Sequence, residues 1–412
     1  MMGWRKKLYP FSVKYMKRIN VIGVFPGRPL CHEAVECLNN CDVIFSGHRN
    51  REFFDANNRL TVDIGEIKKF RIDMENAYKS GKKIAVVATG DPLFYGIGKY
   101  ISENYPENEI EIIPEVSSMQ AALSRMVMDS SGIYTVSLHG RNIQGLAQKI
   151  RNKYKIVIFT DSVNTPSAIA DYMNRFGLTS YRAHVFENIG YSNEKSGSYS
   201  IEELKGREFN PLNIMILTAE SEYKISMPDD SRFARRNGNI TKKEVRDISL
   251  SDLDIDKNTI LWDIGSGSGS LAIAASFIDT EGEIYAIEKD AELCKNIQSN
   301  MEMSACDLKI INGIAPDILH RLPDPDAIFI GGSSGHIQEI MDYSYKRLKI
   351  NGRMVINITT IENFHRAIDY IESMKLNADI RQINISRLTP VSKYRRFVPM
   401  DQIYIIRVVK NE

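Results

Sequence analysis

The feature that most constrains the fold is a double series of short apolar runs, each followed by a stretch whose apolar residues have helical spacing. The first series begins with RINVIGVF (residues 18–25), continues through KKIAVVATGD (residues 82–91) and ends with PLNIMILTAE (residues 211–220). The second series runs from TILWDIG (residues 259–265) to QIYIIRVV (residues 402–409). Strands that alternate with helices favour parallel sheets covered by helices, so we expect an α/β protein.

The length of the chain and the break between the two series predict two domains. At 412 residues the chain exceeds the roughly 250–300 residues that one hydrophobic core usually reaches. Low periodicity and several turn-forming residues in SEYKISMPDDSRFARRNGN predict a linker. We therefore expect one domain at residues 20–220, a linker at residues 221–240 and a second domain at residues 241–412. The basic residues 1–19 are predicted to form a disordered extension.

Charge and composition limit the classes of partner. The formal net charge is +1, which gives no bulk electrostatic reason to expect nucleic acid or an anionic membrane as a partner. No apolar run reaches the roughly 20 residues of a membrane-spanning helix, and the N-terminus lacks the apolar core of a signal peptide. The five cysteines form no C-x-x-C pair, which favours reduced structural thiols over a metal or redox site. We expect a cytoplasmic protein without a metal ion.

A glycine-rich loop between a strand and a helix predicts a nucleoside-containing ligand. In LWDIGSGSGSLAIAA (residues 261–275) the glycines follow the spacing G-x-G-x-G, and the helix N-terminus offers unpaired N–H groups. A dinucleotide fingerprint would need glycine where Ser270 stands. Glu288 ends the next strand and can accept hydrogen bonds from both hydroxyls of a ribose. The pattern is that of class I S-adenosylmethionine methyltransferases, and a glycine-rich turn without a ligand is the alternative.

Further motifs extend this resemblance over almost all of residues 240–360. ITKKEVRDISLSDL, YAIEKD, LPDPDAIFIGGSSG and LKINGRMVIN, together with the glycine-rich loop, resemble the decarboxylating C15-methyltransferases of cobalamin biosynthesis. The resemblance implies a class I, Rossmann-like domain. DAIFIGG stands where amino-group methyltransferases carry an Asn/Asp-Pro-Pro-aromatic tetrad, so we do not expect N-methylation. One departure is Ile314, where many relatives have a polar residue. By the resemblance, the residues that contact S-adenosylmethionine would be Thr241, Gly265, Ser266, Gly267, Ser268, Gly269, Glu288 and Ala315.

The first half of the chain contains a second set of motifs, which are VIGVFPG, ATGDPLFYGIG, IIPEVSSMQAALSRM, SLHGR, FTDSVNTPSAIA and PLNIMIL, in that order. Together they resemble a different family, the tetrapyrrole (class III) methylases, and within it the C5-methyltransferases of cobalamin biosynthesis. Two α/β lobes are implied, with a trough for S-adenosylmethionine between them. The residues that would line the trough are Pro26, Gly90, Asp91, Phe94, Ser117 and Ser118. Phe25 and Glu115 replace glycines that are usual in relatives, and a positive φ at Glu115 would cost about 1–2 kcal/mol.

Several residues allow two interpretations from the sequence alone. Asp91 follows a buried strand, where it is suited either to a ligand or to the N-cap of the next helix. His139 in SLHGR is either catalytic or a positioned loop histidine. A group of arginines either binds carboxylates bidentately or belongs to a solvated surface. These arginines are Arg232, Arg235, Arg236, Arg387, Arg395 and Arg396.

The two resemblances together imply a bifunctional methyltransferase with two S-adenosylmethionine sites. Its tetrapyrrole substrates would be precorrin-6B and precorrin-7, or their cobalt forms. Precorrin-6B would be methylated at C15, with loss of the C12 acetate carboxylate, and precorrin-7 would be methylated at C5. Direct displacement at a sulfonium methyl needs no nucleophilic side chain, so no catalytic residue is predicted. The class III resemblance also implies a homo-oligomer.

Three alternatives remain open at this point. One is a methyltransferase for another tetrapyrrole in which only one domain is active. A dinucleotide oxidoreductase would bind NAD and no S-adenosylmethionine. A non-catalytic scaffold would give an empty binding isotherm for S-adenosylmethionine.

Overall fold

A computed structural model describes residues 17–54, 60–221, 224–236 and 240–411. These residues form three α/β units, here named lobes 1, 2 and 3 in chain order. Of the extension predicted at residues 1–19, residues 1–16 lie outside the described residues, and Ile19 already begins the first strand. Among the described helices, none combines the length and the apolarity needed to cross a membrane.

Lobe 1 is a five-stranded sheet in the order β3-β2-β4-β1-β5, with every neighbouring pair parallel. β1 is buried along its whole length because helices cover both faces of the sheet. β1 and β4 are neighbours, but the crossover after β1 leads to β2 on one side of the sheet and the crossover after β4 leads to β5 on the other. Open α/β sheets bind ligands at such a switch point. The strands are Ile19–Val24 (β1), Val43–Ser46 (β2), Leu60–Asp63 (β3), Ile84–Thr89 (β4) and Ile110–Ile113 (β5), and the helices are His32–Asn40 (α1), Ile67–Lys79 (α2), Ile97–Asn104 (α3) and Ser118–Arg125 (α4).

Lobe 2 departs from the parallel architecture that was predicted up to residue 220. Its sheet has the order β6-β7-β10-β8-β9, and only β6 and β7 pair in parallel. The prediction was wrong here because residues 188–194 between β8 and β9 are too few for a crossover helix, so the two strands form an antiparallel hairpin. The strands are Ile133–Ser137 (β6), Lys155–Phe159 (β7), Tyr181–Glu187 (β8), Lys195–Ser200 (β9) and Asn213–Ala219 (β10), and the helices are Leu146–Ile150 (α5) and Pro166–Arg175 (α6).

Lobe 3 is a seven-stranded sheet in the order β13-β12-β11-β14-β15-β19-β16, parallel except for β19. The order reverses between β11 and β14, so this lobe also has a switch point for a ligand. The six strands predicted from the second series are confirmed as β11–β15 and β19. The strands are Ile260–Ile264 (β11), Glu283–Glu288 (β12), Lys309–Asn312 (β13), Ala327–Ile330 (β14), Arg353–Ile358 (β15), Ala378–Ile383 (β16), Ser386–Val391 (β17), Tyr394–Pro399 (β18) and Ile403–Val409 (β19).

Five helices cover the sheet of lobe 3, and a separate hairpin extends from it. The strands β17 and β18 pair only with each other, and the sequence pattern did not predict them. Their described side chains are mostly exposed, so the apolar periodicity that marks a packed strand is missing. The helices are Lys243–Leu253 (α7), Ser270–Ile278 (α8), Ala291–Met303 (α9), Ile337–Arg347 (α10) and Ile361–Ser373 (α11).

A buried guanidinium joins lobe 2 to lobe 3. Arg151, which follows α5, is 4% exposed and lies with its Cζ 3.4 Å from the centre of the Phe277 ring. It donates hydrogen bonds to the carbonyl oxygens of Ser276 at 2.7 Å and Ser304 at 2.9 Å. These carbonyls close the last turns of α8 and α9, where the helix dipole favours a cation. Burial lowers the pKa of Arg151 to about 10, so the group stays charged at neutral pH.

The residues after α9 add further contacts to the same interface. Asp307 accepts a hydrogen bond from the Tyr172 hydroxyl at 2.9 Å, and its backbone N–H donates to Gln148 at 2.8 Å. Ala305 is fully buried in the apolar core of lobe 2. Lobes 2 and 3 are therefore joined by polar contacts and by the packing of Ala305 into the core of lobe 2.

We predict that Arg151→Ala lowers the free energy of unfolding by about 3 kcal/mol, because two buried carbonyls lose a charged donor. Urea unfolding followed by intrinsic fluorescence measures this change. The matched control is Arg175→Ala, which removes an exposed ion pair with Glu302 at the same interface and should cost less than about 1 kcal/mol. Equal unfolding midpoints for the two variants would contradict the role given to Arg151.

Candidate functional sites

The glycine-rich loop of lobe 3 joins β11 to α8 at the switch point of the sheet. Gly265 has φ +71°, and a Cβ added there would lie 2.5 Å from the carbonyl oxygen of Gly332 in the loop after β14. Only glycine permits this approach. Gly267 has φ +58°, and no atom of the described residues lies within 4 Å of a Cβ built on it. The backbone at Gly267 therefore faces open space, as a ligand-binding loop requires.

Glu288 is the acid at the end of β12, and it lies directly against the loop. Its side chain is buried, with Oε2 accepting from the Gly267 N–H at 2.9 Å and Oε1 accepting from the Asp290 N–H at 3.0 Å. Each carboxylate oxygen retains a second lone pair for another donor. Glu288 and the glycine-rich loop, which the sequence assigns to one ligand, therefore lie side by side in the fold.

A second carboxylate, Asp263, lies underneath the loop. Its Oδ2 accepts hydrogen bonds from the Ser266 hydroxyl at 2.6 Å and the Ala272 N–H at 3.2 Å, and it thereby fixes the start of α8 to the loop. Its Oδ1 has no hydrogen-bond partner among the described residues. Burial raises the pKa of Asp263 to about 6, the nearby Glu288 charge adds to the rise, and the two hydrogen bonds oppose it.

The remaining residues predicted for this site lie on two neighbouring segments. The loop after β13 is attached to Glu288, whose carbonyl oxygen accepts from the Gly313 N–H at 3.0 Å, and Ala315 follows two residues later. Ile314, the departure from relatives, is 56% exposed. Thr241 lies before α7, and its carbonyl oxygen accepts from Arg246 at 2.8 Å. Among the described residues, no hydrogen bond joins Thr241 directly to the glycine-rich loop.

In lobe 1 the end of β1 meets the loops after β4 and β5 through backbone atoms. A Cβ on Gly23 would lie 2.2 Å from the carbonyl oxygen of Gly90 and 2.6 Å from the Glu115 nitrogen. A Cβ on Gly90 would lie 3.1 Å from the Ser117 Cα. The structure therefore brings Gly90, Ser117 and the adjacent Ser118 together at the carboxyl edge of the sheet.

A cleft separates the loops of lobe 1 from lobe 2. One cavity of about 490 Å³ contains Pro26, Val116 and Tyr191 in its wall, and a neighbouring cavity of about 430 Å³ shares Tyr191 and adds Arg49. Both volumes lie in the range of small-molecule sites. Phe25, the departure from the usual glycine, is buried in the wall of the first cavity.

The Phe25 ring explains a glycine that the sequence did not single out. A Cβ on Gly190, which follows β8 in lobe 2, would lie 2.6 Å from a carbon of the Phe25 ring. Gly190 therefore provides the space that the larger residue at position 25 occupies. No local sequence signal links two residues so far apart in the chain.

The turn after β4 contains the two other residues predicted for the trough. Asp91 accepts from the Leu93 N–H at 2.9 Å, and α3 begins only at Ile97, so Asp91 caps a turn rather than the helix. Phe94 packs edge-on against Phe159 of lobe 2, with ring centres 5.7 Å apart. Asp91 and Phe94 therefore share one turn on the lobe 1 side of the cleft.

Two residues of the loop after β5 also have local roles. Ser117 is the N-cap of α4, and its hydroxyl accepts from the Gln120 N–H at 3.2 Å. Glu115 does not have a positive φ, so the backbone strain considered for this residue does not arise. Its side chain instead accepts a hydrogen bond from the Val116 N–H at 2.8 Å.

Most of the ambiguous cationic residues have protein partners. His139 is exposed, and its Nδ1 lies 3.3 Å from the Thr160 carbonyl oxygen, as expected for a positioned loop histidine. Arg387 forms a bidentate pair with Glu244, and Arg236 pairs with Asp290. Arg235 donates to a backbone carbonyl. Arg395 and Arg396 lie exposed on β18.

We predict that Asp263 makes stability fall as the pH rises from about 4 to about 6. Its pKa is 3.8 in the unfolded chain and about 6 in the fold, so the stability that it contributes is complete below pH 3.8 and is lost as the pH rises through 6. The slope is at most about 1.4 kcal/mol per pH unit. Asp263→Asn keeps an acceptor for Ser266 and Ala272 but cannot titrate. Urea unfolding from pH 4 to 7 should therefore give a shallower pH dependence for the variant, and parallel curves would contradict the assignment.

Two family models match separate parts of the chain. Residues 18–205 match the tetrapyrrole (corrin/porphyrin) methylases, and residues 232–410 match the precorrin methyltransferase domain. The cobalt-precorrin-6B C(15)-methyltransferase (decarboxylating) of Salmonella typhimurium is 30% identical over 188 residues, which are 45% of this chain and 97% of that relative.

Two further comparisons concern relatives with both activities in their names. A crystal structure of precorrin-6y C5,15-methyltransferase from Geobacter metallireducens has 34% sequence identity and a TM-score of 0.44, and it covers 46% of this chain and 100% of that one. The precorrin-6Y C(5,15)-methyltransferase (decarboxylating) of a Sinorhizobium species is 30% identical over 371 residues. The match spans 87% of this chain and 88% of the relative. On the strength of this nearly full-length match, the protein belongs to the family of the decarboxylating precorrin-6Y C(5,15)-methyltransferases.

Proposed function

We propose that the chain is a bifunctional S-adenosylmethionine-dependent C-methyltransferase of corrin-ring synthesis. Lobes 1 and 2, residues 20–220, would form a class III domain that methylates precorrin-7 at C5. Lobe 3, residues 241–412 after a linker at 221–240, would form a class I domain that methylates precorrin-6B at C15 and releases the C12 acetate carboxylate as carbon dioxide. The observation that carries the proposal is that two unrelated groups of loops, here called cradles, each lie at the switch point of their own sheet.

The cradle in lobe 3 fits an adenosyl group with a cationic sulfonium. The open space over Gly267 would admit the methionyl part, and the backbone of residues 265–269 would follow it closely. Glu288 has unused lone pairs for ribose hydroxyls and is held in place by two backbone N–H groups. Ala315, in the loop after β13, would contact the adenine, and Thr241 would contact the cofactor from the linker side.

The cradle in lobe 1 fits the same cofactor by different means. The residues proposed to line it are Pro26, Gly90, Asp91, Phe94, Ser117 and Ser118. The hydroxyl of Ser117 is already used as a helix cap, so we propose that backbone groups of this loop make its contacts. Asp91 accepts the Leu93 N–H with Oδ1, so its Oδ2 is not used in this turn. The cavities between lobes 1 and 2 offer room for the macrocycle beside this edge.

The proposed reactions need little from the protein beyond alignment of the ring carbon with the methyl group. S-adenosylmethionine, when bound, supplies a methyl group that is already activated by its positive sulfur. The chain's residues bind, orient and exclude water, and the alignment of an electron-rich ring carbon with that methyl group provides most of the acceleration. No described residue is therefore assigned as a nucleophile or a general base.

We also propose that the protein is a homo-oligomer in the cytoplasm. The class III resemblance supports the first part. The second part is consistent with the five cysteines, none of which forms a disulfide in the described part of the chain.

Two substitutions should separate the two reactions. Glu288→Ala should weaken S-adenosylmethionine binding in lobe 3 by about 10- to 100-fold, because charge-assisted hydrogen bonds contribute roughly 1.5–3 kcal/mol. It should block C15 methylation and carbon dioxide release together and leave C5 methylation of supplied precorrin-7 intact. Asp91→Asn keeps the acceptor for Leu93 but removes the charge. It should block C5 methylation and leave C15 methylation and carbon dioxide release intact. Separate incubations with precorrin-6B and with precorrin-7, or with their cobalt forms, measure the two reactions when the products are read by mass spectrometry.

The control for Glu288 is Glu283→Ala at the opposite end of β12, where the carboxylate pairs with half-buried Lys309 and does not touch the loop. This variant should keep both activities. If Asp91→Asn stopped carbon dioxide release in a folded protein, the proposed division of labour would be wrong. Activity on a different tetrapyrrole alone would instead favour the alternative in which only one of the two domains is active.

A further inference from the structure

Two asparagines hold the segment between lobes 2 and 3 in the same way. The Asn152 amide donates to the Ile225 carbonyl oxygen at 2.8 Å and accepts from the Ile225 N–H at 2.8 Å. The Asn300 amide donates to the Ala234 carbonyl oxygen at 2.9 Å and accepts from the Ala234 N–H at 2.8 Å. Each amide satisfies both backbone groups of one residue, as a neighbouring strand would. The segment is therefore attached to both lobes at defined points.

Asn300 makes one contact that Asn152 does not have. Its Nδ2 also donates to the carbonyl oxygen of Ser268 at 2.8 Å, within the glycine-rich loop. Asn300 is 1% exposed and Ser268 is 3% exposed, so water cannot replace this bond readily. Both N–H groups and the oxygen of the amide are used. One side chain on α9 thus fastens the linking segment and the loop to each other.

The ends of the same segment are attached beside the candidate site. Arg236 pairs with Asp290 at 2.9 Å, and the Asp290 N–H is one of the two donors to Glu288. Arg246 is 2% exposed and holds Asp230 at 3.0 Å and the Thr241 carbonyl oxygen at 2.8 Å. Residues 230–236 and Thr241 are therefore attached beside Glu288, the glycine-rich loop and the start of α7.

We propose that Asn300 is a positioning residue for the cofactor site of lobe 3, and that residues 233–236 form a wall of that site. This proposal depends on the function proposed above, in which the glycine-rich loop binds S-adenosylmethionine. Asn300 acts by fixing the Ser268 carbonyl toward Ala234, which orients the peptide groups between Gly267 and Gly269. Without the amide, the Ser268 carbonyl and both backbone groups of Ala234 lose their partners, and the loop relaxes away from its ligand-binding conformation.

Calorimetric titration of the full-length chain with S-adenosylmethionine tests the proposal. Asn300→Ala should weaken the lobe 3 site by about 10- to 100-fold and leave the other site unchanged. Asn300→Asp should weaken it at least as much, since a carboxylate would face two carbonyl oxygens. The control is Gln298→Ala, which removes an amide from the same helix that bonds only to Glu302 and should not change the affinity. In Asn300→Ala, amide hydrogen exchange should increase at residues 233–236 and 267–269 while the interior of α9 stays protected.

The outcomes separate this proposal from the proposed function. Unchanged affinity in Asn300→Ala, with faster exchange at Ala234, would overturn the positioning role and leave the cofactor site intact. No binding to lobe 3 in the unmodified chain would overturn the proposed function and this inference with it. If both Asn300 variants fail to fold, the unmodified chain gives the answer. Added S-adenosylmethionine should slow exchange at Ala234 as well as in the loop, and unchanged exchange at Ala234 would overturn the proposal.

Discussion

Close contact between backbones at the ends of parallel strands is the constraint on which both candidate sites depend. In lobe 1 a side chain on Gly23 would collide with the Gly90 carbonyl oxygen, and in lobe 3 a side chain on Gly265 would collide with the Gly332 carbonyl oxygen. Each contact lies at the point where the strand order reverses. Two sheets of different strand order therefore share one feature. In both, glycines at the strand ends leave backbone groups and space for a ligand.

The sequence predicted most of what is local and periodic. The strand, loop and helix around GSGSG were recognisable because each element has its own residue pattern, and Glu288 was recognisable because it ends the next strand. The antiparallel part of lobe 2 was not predicted, since a run such as KIVIF has the same composition in either direction of pairing. The hairpin β17–β18 was missed because its mostly exposed side chains carry no pattern of burial.

Contacts between distant parts of the chain could not be predicted from a single sequence. Arg151 and Asn300 are single polar residues inside helical patterns or just after them, and such residues are usually exposed. Their roles depend on which carbonyl groups the fold brings within reach, namely Ser276 and Ser304 for one and Ser268 for the other. The same holds for Gly190, whose role depends on the Phe25 ring that the fold places opposite it. Both polar residues contact α9 or belong to it, so this helix connects the interface between the lobes to the glycine-rich loop.

The central claim is that one chain holds two independent S-adenosylmethionine sites. The most direct measurement is the stoichiometry of S-adenosylmethionine binding by calorimetry, on the intact chain and on Gly267→Val. A side chain at position 267 would enter the open space over the loop and would hold a β-branched residue at positive φ. The account predicts about two molecules per chain for the former and about one for the latter. A stoichiometry of one for the intact chain, or of two for a folded Gly267→Val, would contradict it.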